Sequence, residues 1–329
     1  MDRRTIQHVT RLGYQIPNFT YPNTNSATLF DAVVRQAKDA EASGFDTVLV
    51  MDHFYQLPGL GRPEQEMLEC YTLLSALAQH TSTVRLSSLV TGNTYRSPTL
   101  LAKIITALDV VSHGRAQLGI GAGWYELEHD SLGYEFGTFT DRFERLEEAL
   151  VIITGMLRGE RPSLEGTWYK VHEAINSPAP VGRIPIMIGG GGERKTLRLV
   201  AQYADESNLI CAPADIPRKL EALADHCDRL GRDRSEITVS YLASVCVAPT
   251  HEQAVAELEA FLVDKPEMVA QRSRAGLVGT PDQVAEQLSG LLAAGIDGLT
   301  VNAPANGHVE GRVTLLGETI APLMFSAGD

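Results

Sequence analysis

The sequence predicts an α/β protein with the (β/α)8 architecture of a TIM barrel, carrying insertion segments at the C-terminal mouth. Predicted strands and helices alternate, about eight of each, as expected of parallel strands joined by helices. The 329 residues suit one such barrel, so we expect a single domain over residues 1–329. Polar side chains also gather directly after several strands. A doubly wound open sheet has the same alternation and is the alternative.

The predicted strands are short apolar or β-branched runs bounded by Gly, Pro or polar clusters. They cover residues 10–16, 47–51, 84–90, 116–120, 184–188, 206–210, 238–247 and 298–302. Three connections exceed what a plain barrel needs, and these are residues 121–140, 159–183 and 249–279. Because long connections in a compact domain are usually functional or mobile, we interpret them as insertions near the mouth.

Apolar residues at helical spacing predict the connecting helices. The first helix carries Leu29, Val33, Ala37 and Ala40 on one face and ends at Gly44, and residues 99–111 and 142–157 follow the same period. The last is the most clearly bounded, because Thr280 suits the cap, Pro281 suits the first helical position, and Gly295 ends the stripe.

Composition excludes several classes of function. The formal net charge of −13, without a sustained basic run, argues against nucleic-acid or anionic-membrane binding. No apolar run is long enough for a membrane span and no secretory signal is evident, so the expected location is cytoplasmic. The four cysteines are scattered without a CxxC pair, and no HExxH motif occurs, so we expect no metal site.

The fifth predicted strand runs directly into four glycines, Gly189, Gly190, Gly191 and Gly192, and then into a helical segment. Glycines in such a turn permit positive φ and let backbone N–H groups approach a ligand, while the helix start favours an anion. Lys195, like its neighbour Arg194, is expected in the first helical turn, where it adds positive charge. The sequence therefore predicts a phosphate site. A tight connection without a ligand is the alternative.

Asp52 and His53 follow the second predicted strand. A carboxylate beside a histidine can orient or charge the ring, which suits proton transfer. Neighbouring residues on an extended strand point in opposite directions, however, and a structural role for His53 in bonding a loop backbone is the alternative.

The fourth predicted strand leads into Gly123 and Trp124, followed by Glu128 and His129. Trp124 could cover a planar ring, or it could be a buried aromatic that fills the barrel mouth. Glu128 and His129 lie on a segment that could start a helix, and a solvated acidic turn is the alternative. No lysine ends a predicted strand, which disfavours a Schiff-base aldolase and suggests that a bound cofactor performs the chemistry.

Five stretches resemble the luciferase-like monooxygenase superfamily, and within it the actinobacterial branch that uses the deazaflavin cofactor F420. They are residues 12–19 (LGYQIPNF), 50–54 (VMDHF), 89–98 (LVTGNTYRSP), 119–124 (GIGAGW) and 185–199 (PIMIGGGGERKTLRL). They extend over most of the chain. Members that use FMN share these motifs, so FMN is the alternative cofactor.

The resemblance implies a barrel that holds a flavin-like ring over its strand ends. It places His53 beside the ring and the substrate as the catalytic residue, Thr91 at the polar edge of the ring and Glu128 beside the polyol chain. A non-proline cis peptide is implied within residues 88–90, behind the ring. The implied cofactor-binding residues are Asp52, Ser88, Leu89, Val90, Thr91, Gly123, Trp124, Glu128, Gly189, Gly190, Gly191, Gly192 and Lys195.

Two departures distinguish the chain from relatives that oxidise sugar phosphates. Those relatives carry a catalytic glutamate where this chain has Trp124, and a tryptophan where it has Leu57. Both differences count against a glucose-6-phosphate-type substrate.

The resemblance therefore predicts an F420-dependent oxidoreductase that transfers a hydride between the deazaflavin and an unidentified small organic substrate. The alternatives are an FMN-dependent monooxygenase and a catalytically silent barrel that carries a flavin-type cofactor. A homodimer is expected because relatives commonly pair through barrel helices.

Overall fold

A computed structural model describes residues 11–265, 268–269 and 277–325 of the chain. Its strands are β1 (Arg11–Ile16), β2 (Thr47–Val50), β3 (Arg85–Ser88), β4 (Thr91–Gly92), β5 (Ala116–Gly121), β6 (Leu164–Glu165), β7 (Lys170–Val171), β8 (Ile186–Gly189), β9 (Glu206–Leu209), β10 (Thr238–Ser244), β11 (Cys246–Val247), β12 (Val278–Gly279) and β13 (Gly298–Asn302). Since residues outside these ranges are not described, one domain over residues 1–329 stays a prediction.

Nine of these strands form one parallel sheet in the order β3-β2-β1-β13-β10-β9-β8-β5-β4. β3 also pairs with β5, through Leu86 opposite Ala116, and this pairing closes the sheet on itself. β3 and β4 share one barrel position, interrupted at Leu89 and Val90, so the closed barrel has eight positions. The predicted (β/α)8 barrel is confirmed, and the open-sheet alternative is wrong.

The described helices connect the strands on the outside of the barrel. They are Leu29–Ala42, Cys70–Ala78, Pro98–Val111, Glu126–Leu132, Phe139–Leu157, Thr196–Tyr203, Ile216–Leu230, His251–Phe261, Pro281–Leu292 and Arg312–Phe325, with 3-10 turns at Pro213–Asp215 and Arg234–Glu236. Along the part of the chain that the structure describes, none of these helices has both the length and the apolar character required to cross a membrane.

Several helix boundaries follow from capping. Thr138 accepts a hydrogen bond from the backbone of Asp141, whose side chain bonds back to Thr138, so this helix begins earlier than the predicted residue 142. Ser97 likewise caps the helix that begins at Pro98. Thr280 forms the predicted cap with Pro281 in the first turn.

Two predicted strands are wrong in detail. The segment 84–90 breaks after Ser88, because Leu89 and Val90 leave the sheet in a bulge before β4. The segment 238–247 divides into β10 and β11, and β11 pairs with β12 in a separate two-stranded sheet. Thr10, the first residue of the first predicted strand, lies outside the described residues.

A large apolar core fills the space between the barrel and its helices, whereas the barrel interior is mixed. Leu49, Leu89 and Met187 form a small apolar cluster inside the barrel. Beside it, Asn208 donates hydrogen bonds to the Ser240 hydroxyl at 2.9 Å and the Thr300 hydroxyl at 3.3 Å. The Asn208 amide nitrogen is thus bonded within the barrel, whereas its carbonyl oxygen has no hydrogen-bond partner among the described residues.

Close backbone packing at the barrel mouth depends on Gly119 in β5. A Cβ atom on Gly119 would lie 1.9 Å from the carbonyl oxygen of Ser88, far inside van der Waals contact. The Ser88 hydroxyl also donates to the Gly119 carbonyl at 2.8 Å. Gly119 therefore allows β3 and β5 to meet where the barrel closes.

We expect Gly119→Ala to lower the free energy of unfolding by at least about 2 kcal/mol, because the methyl group forces β5 away from the backbone of β3. Urea unfolding followed by circular dichroism measures this. Gly290→Ala is the matched control, since Gly290 lies on a helix with no atom within 4 Å of the added Cβ, and a helical Gly→Ala change is neutral or stabilising. Equal stability of the two variants would contradict the role of Gly119.

Candidate active site at the barrel mouth

The carboxyl ends of the barrel strands bring most of the predicted site residues to one face of the molecule. Asp52 and His53 follow β2, Thr91 begins β4, and Glu128 lies on the helix that follows β5. The glycine turn follows β8. This is the face on which barrels of this kind place their ligands.

Glu128 is the centre of a buried hydrogen-bond network, with no exposed surface. Its Oε1 accepts from the backbone N–H groups of Phe54 at 2.5 Å and Tyr55 at 2.9 Å. Its Oε2 lies 2.9 Å from Nδ1 of His53 and accepts a short bond from the Tyr95 hydroxyl. The alternative of a solvated acidic turn is therefore wrong for Glu128.

These bonds determine the state of Glu128. Burial on its own raises the pKa of Glu128, but the bonds from His53, Tyr95 and the loop backbone outweigh burial and lower it below its ordinary value. Burial and the neighbouring Glu128 raise the pKa of Tyr95, so its hydroxyl keeps its proton and donates. Glu128 is therefore a carboxylate that only accepts.

The carboxylate in turn orients His53. Because Glu128 can only accept, Nδ1 of His53 carries a hydrogen, and Nε2 is the ring nitrogen that remains for proton exchange. The rings of Trp124 and Tyr125 each stand edge-on to the imidazole, with centroids 5.8 Å away. The histidine is thus held by Glu128 and by these two rings, and 11% of its side chain remains exposed. The alternative of a bond to a loop backbone is not what the structure shows.

Asp52 faces away from His53, as expected for neighbouring residues on an extended segment. Its two oxygens accept from the Arg96 guanidinium at 2.7 and 3.0 Å, and Arg96 also donates to Glu69 at 2.6 Å. Burial alone lowers the pKa of Arg96, but Asp52 and Glu69 outweigh it and raise the pKa. The prediction that Asp52 orients the His53 ring is therefore wrong. The carboxylate that orients the ring is Glu128.

A bulge between β3 and β4 forms part of the mouth. The Leu89–Val90 peptide bond is cis, within the residues where the resemblance implied one. Ser88 and Thr91 hold the two sides of the bulge together, with their hydroxyl oxygens 2.8 Å apart. The Leu89 carbonyl accepts from the Gln15 side chain at 3.3 Å. Val90 packs so closely on the neighbouring strands that a Cβ on Gly189 would lie 2.8 Å from one of its methyl groups.

The glycine turn begins at the last residue of β8. Gly190 has φ of 116°, which a residue with a side chain rarely adopts. A Cβ on Gly191 would lie 3.1 Å from the Ile210 carbonyl oxygen. The backbone N–H groups of Gly191 and Gly192 make no hydrogen bond to any residue in the described ranges. Free donors in a turn that leads to a helix are the features of an anion site.

The predicted positions of two cations in this turn are wrong. The helix begins at Thr196, so Arg194 and Lys195 precede it in a turn, with Lys195 at the N-cap position. The Lys195 ammonium lies 5.3 Å and 5.5 Å from the ring centroids of Phe139 and Phe143. Lys195 is thus held by aromatic rings of the preceding helix.

Trp124 differs from the expectation of a buried aromatic. It is 59% exposed and stacks on Tyr125, with ring centroids 5.1 Å apart. Gly123 before it has φ of 82°, and its carbonyl accepts from Arg142 at 3.1 Å. An exposed aromatic beside His53 leaves its face available to a ligand.

Sequence reasoning missed Tyr95 and Arg96 as partners of the two acidic residues. Both lie in the stretch 89–98 that carries the family resemblance, and an arginine near a buried aspartate is the usual counter-charge. No local signal joins Tyr95 to Glu128, because the two residues are far apart in the chain and meet only where β4 and β5 lie side by side.

Comparison with known proteins agrees with this architecture. The family model described as luciferase-like monooxygenase matches residues 10–298. The chain belongs to the luciferase-like monooxygenase family. An F420-dependent glucose-6-phosphate dehydrogenase of Microbacterium testaceum is 33% identical over 66% of this luciferase-like chain and 64% of its own length. That of Nocardia farcinica is 29% identical over 86% and 90% of the two chains.

The fold also resembles a solved luciferase-like structure. The coenzyme F420 dependent tetrahydromethanopterin reductase from Methanopyrus kandleri superposes with a TM-score of 0.76 at 20% identity, covering 95% of this chain and 99% of that one. This similarity extends the shared fold to nearly the whole luciferase-like chain.

We expect Glu128→Gln to lower the free energy of unfolding by about 1–3 kcal/mol at pH 7, because an amide cannot accept from all four donors. The pKa of Glu128 is lowered by folding, so the ionised carboxylate stabilises the protein above its unfolded pKa of about 4.3. That contribution is lost as the pH falls through the folded value. Thermal melts from pH 7 to 3 should therefore show the gap from the unmodified protein narrowing in acid.

Glu126→Gln serves as the control for this pH series, because Glu126 lies exposed on the same helix. Its melting temperature should match that of the unmodified protein at every pH. A gap for Glu128→Gln that stays constant down to pH 3 would be incompatible with a buried carboxylate.

Proposed function

We propose that this protein is an F420-dependent oxidoreductase that transfers a hydride between the deazaflavin and a small organic substrate. The observation that carries the proposal is the His53–Glu128 pair, with 2.9 Å between Nδ1 of His53 and the carboxylate. It provides a histidine with one oriented nitrogen at the barrel mouth. The glycine turn supplies a separate anion site on the same face, and the relatives from Microbacterium testaceum and Nocardia farcinica are F420-dependent enzymes.

The residues at the mouth fit such a cofactor. The unpaired N–H groups of Gly191 and Gly192 would hold its phosphate, in a turn where a Cβ on Gly191 would crowd the Ile210 carbonyl. The bulge at Leu89 and Val90 would support the ring. When bound, F420 supplies a carbon centre that accepts or donates a hydride.

The chain itself handles the accompanying proton. In the oxidation of an alcohol, Nε2 of His53 would accept the proton of the substrate hydroxyl, and a bound cofactor would supply the hydride acceptor. In the reduction of a ketone, the same nitrogen returns the proton. Glu128 stabilises the imidazolium in either direction, because its carboxylate lies 2.9 Å from Nδ1.

The homodimer and the cytoplasmic location expected from the sequence belong to this proposal. Sedimentation of the purified protein tests the first, and a particle of one chain would contradict it.

Cofactor choice is tested by titrating purified apoprotein with F420 and, separately, with FMN while following cofactor fluorescence. We expect F420 to bind. Gly191→Asp should weaken F420 binding at least about tenfold, because a side chain and a negative charge enter the anion site. Gly182→Asp is the control, since Gly182 is exposed and no atom lies within 4 Å of an added Cβ. Tight FMN binding without an F420 response would favour the FMN-dependent monooxygenase.

The role of His53 is tested by His53→Asn, whose amide can still donate to Glu128 but offers no titratable nitrogen in place of Nε2. In a panel of F420-linked alcohols and ketones, we expect turnover to fall by about 10²–10⁴-fold with F420 affinity unchanged. His80→Asn, at an exposed histidine, is the control. Unchanged turnover in His53→Asn would disprove the role, and a panel without any turnover would favour the cofactor carrier.

A further inference from the structure

A second feature of the barrel mouth is a cavity of about 710 Å³, which is lined by the segments after β1, β2 and β13 and by the end of the helix His251–Phe261. In the circular strand order, three strands separate β1 from β8 in either direction, so the cavity lies across the mouth from the glycine turn. It also adjoins the active site, because the loop that begins with His53 continues through Leu60 to Gln65, which line it. Its volume is that of a drug-sized ligand site, about 300–1,000 Å³.

The polar side chains at the edge of this cavity are largely bonded to other protein groups. Asn18 donates to the Pro304 carbonyl at 3.1 Å, and the Tyr21 hydroxyl donates to the Asn18 carbonyl at 2.5 Å. The Tyr21 hydroxyl also accepts from Gln36 at 2.9 Å. Glu257 accepts from Arg312 at 2.5 and 3.1 Å. These groups are therefore poor candidates for recognising a polar ligand.

Apolar side chains form most of the remaining lining. Leu60, Phe261, Leu262, Val263, Pro304 and Ala305 all border the cavity. Val263 is 73% exposed. Leu60 is partly exposed and belongs to none of the apolar clusters formed by the described residues. Apolar surface that the core does not use is suited to contact with an apolar ligand.

The side chains that line the cavity carry little net charge. Arg62, Lys265 and Asp264 line it, and Glu257 is neutralised by Arg312. Burial and the neighbouring Arg35 lower the pKa of His308, so its ring is neutral at pH 7. A phosphate-bearing substrate would require a stronger cationic set than one surplus positive charge.

We propose that this cavity binds the body of the substrate, and that the substrate is a predominantly apolar molecule of drug size and not a sugar phosphate. The assignment of the bound molecule as substrate rests on the proposed oxidoreductase function. The reacting carbon would lie towards His53 and the hydrocarbon body would extend over Leu60 and Phe261.

The test measures binding of 2-alkanones, from butan-2-one to decan-2-one, by calorimetry to the F420-loaded protein and to the cofactor-free protein. We expect the dissociation constant to fall about three- to fourfold for each added methylene, as for transfer of hydrocarbon out of water. Glucose 6-phosphate should not bind. A dissociation constant independent of chain length, or displacement of decan-2-one by glucose 6-phosphate, would overturn the proposal.

Leu60→Asn should weaken decan-2-one binding about tenfold, because it replaces an apolar wall with an amide of similar size. Leu230→Asn is the matched control, since Leu230 is half exposed on a helix outside the cavity lining. F420 affinity should be the same in both variants, which shows that they are folded. If decan-2-one binding is the same in both variants, the cavity assignment is wrong.

The proposed function and the proposed substrate class can be contradicted independently of each other. If F420 does not bind while alkanone affinity still rises with chain length and falls in Leu60→Asn, the cavity binds apolar molecules and the F420-dependent function is wrong. If F420 binds and chain length has no effect, only the substrate class is wrong.

Discussion

The arrangement of the active site depends on one buried carboxylate. Glu128 accepts from two backbone N–H groups, one tyrosine hydroxyl and one imidazole, and so joins the loop after β2, the loop after β4 and the helix after β5. A carboxylate taken out of water is costly unless its oxygens are hydrogen-bonded, and here the four donors are all provided by the protein. The same bonds that keep Glu128 ionised also fix which nitrogen of His53 is free. The hydrogen bonds of Glu128 therefore contribute both to the stability of the fold and to the proton chemistry of His53.

Barrel closure supports this network through small residues. Gly119 lets β5 approach the backbone of β3, and Gly189 leaves room for the methyl groups of Val90. The bulge at Leu89 and Val90 consequently projects at the mouth in a defined position, bonded to Gln15 from inside the barrel. Side chains at these glycines would displace the bulge before they touched any catalytic group.

The sequence predicts the barrel well because the evidence for it is local. Apolar runs, glycine stops and the cap at Thr280 each act within a few residues, and the structure places elements at those positions. Hydrogen bonds between segments that are distant in the chain were harder to predict from the sequence. His53 stands beside Asp52 in the sequence, yet its partner is Glu128, since the extended chain turns the two neighbours apart. The sequence also did not predict which of these side chains are buried, because Trp124 is exposed whereas the acidic Glu128 is buried.

Separate parts of the mouth have separate chemistry. The glycine turn after β8 offers backbone donors suited to an anion, whereas the lining across the barrel near β1 is mostly apolar and carries little net charge. His53 follows β2, which neighbours β1, and two barrel positions separate β2 from β8 on the shorter path around the barrel. A ligand anchored by its phosphate at one end would have to extend across the strand ends to reach the histidine, and a second ligand would approach from the apolar side.

Since the two halves share no residue, substitutions in the cavity wall can change which molecules bind without disturbing the anion site. This separation is a physical reason why one barrel can serve different substrates while its proton-handling pair stays unchanged.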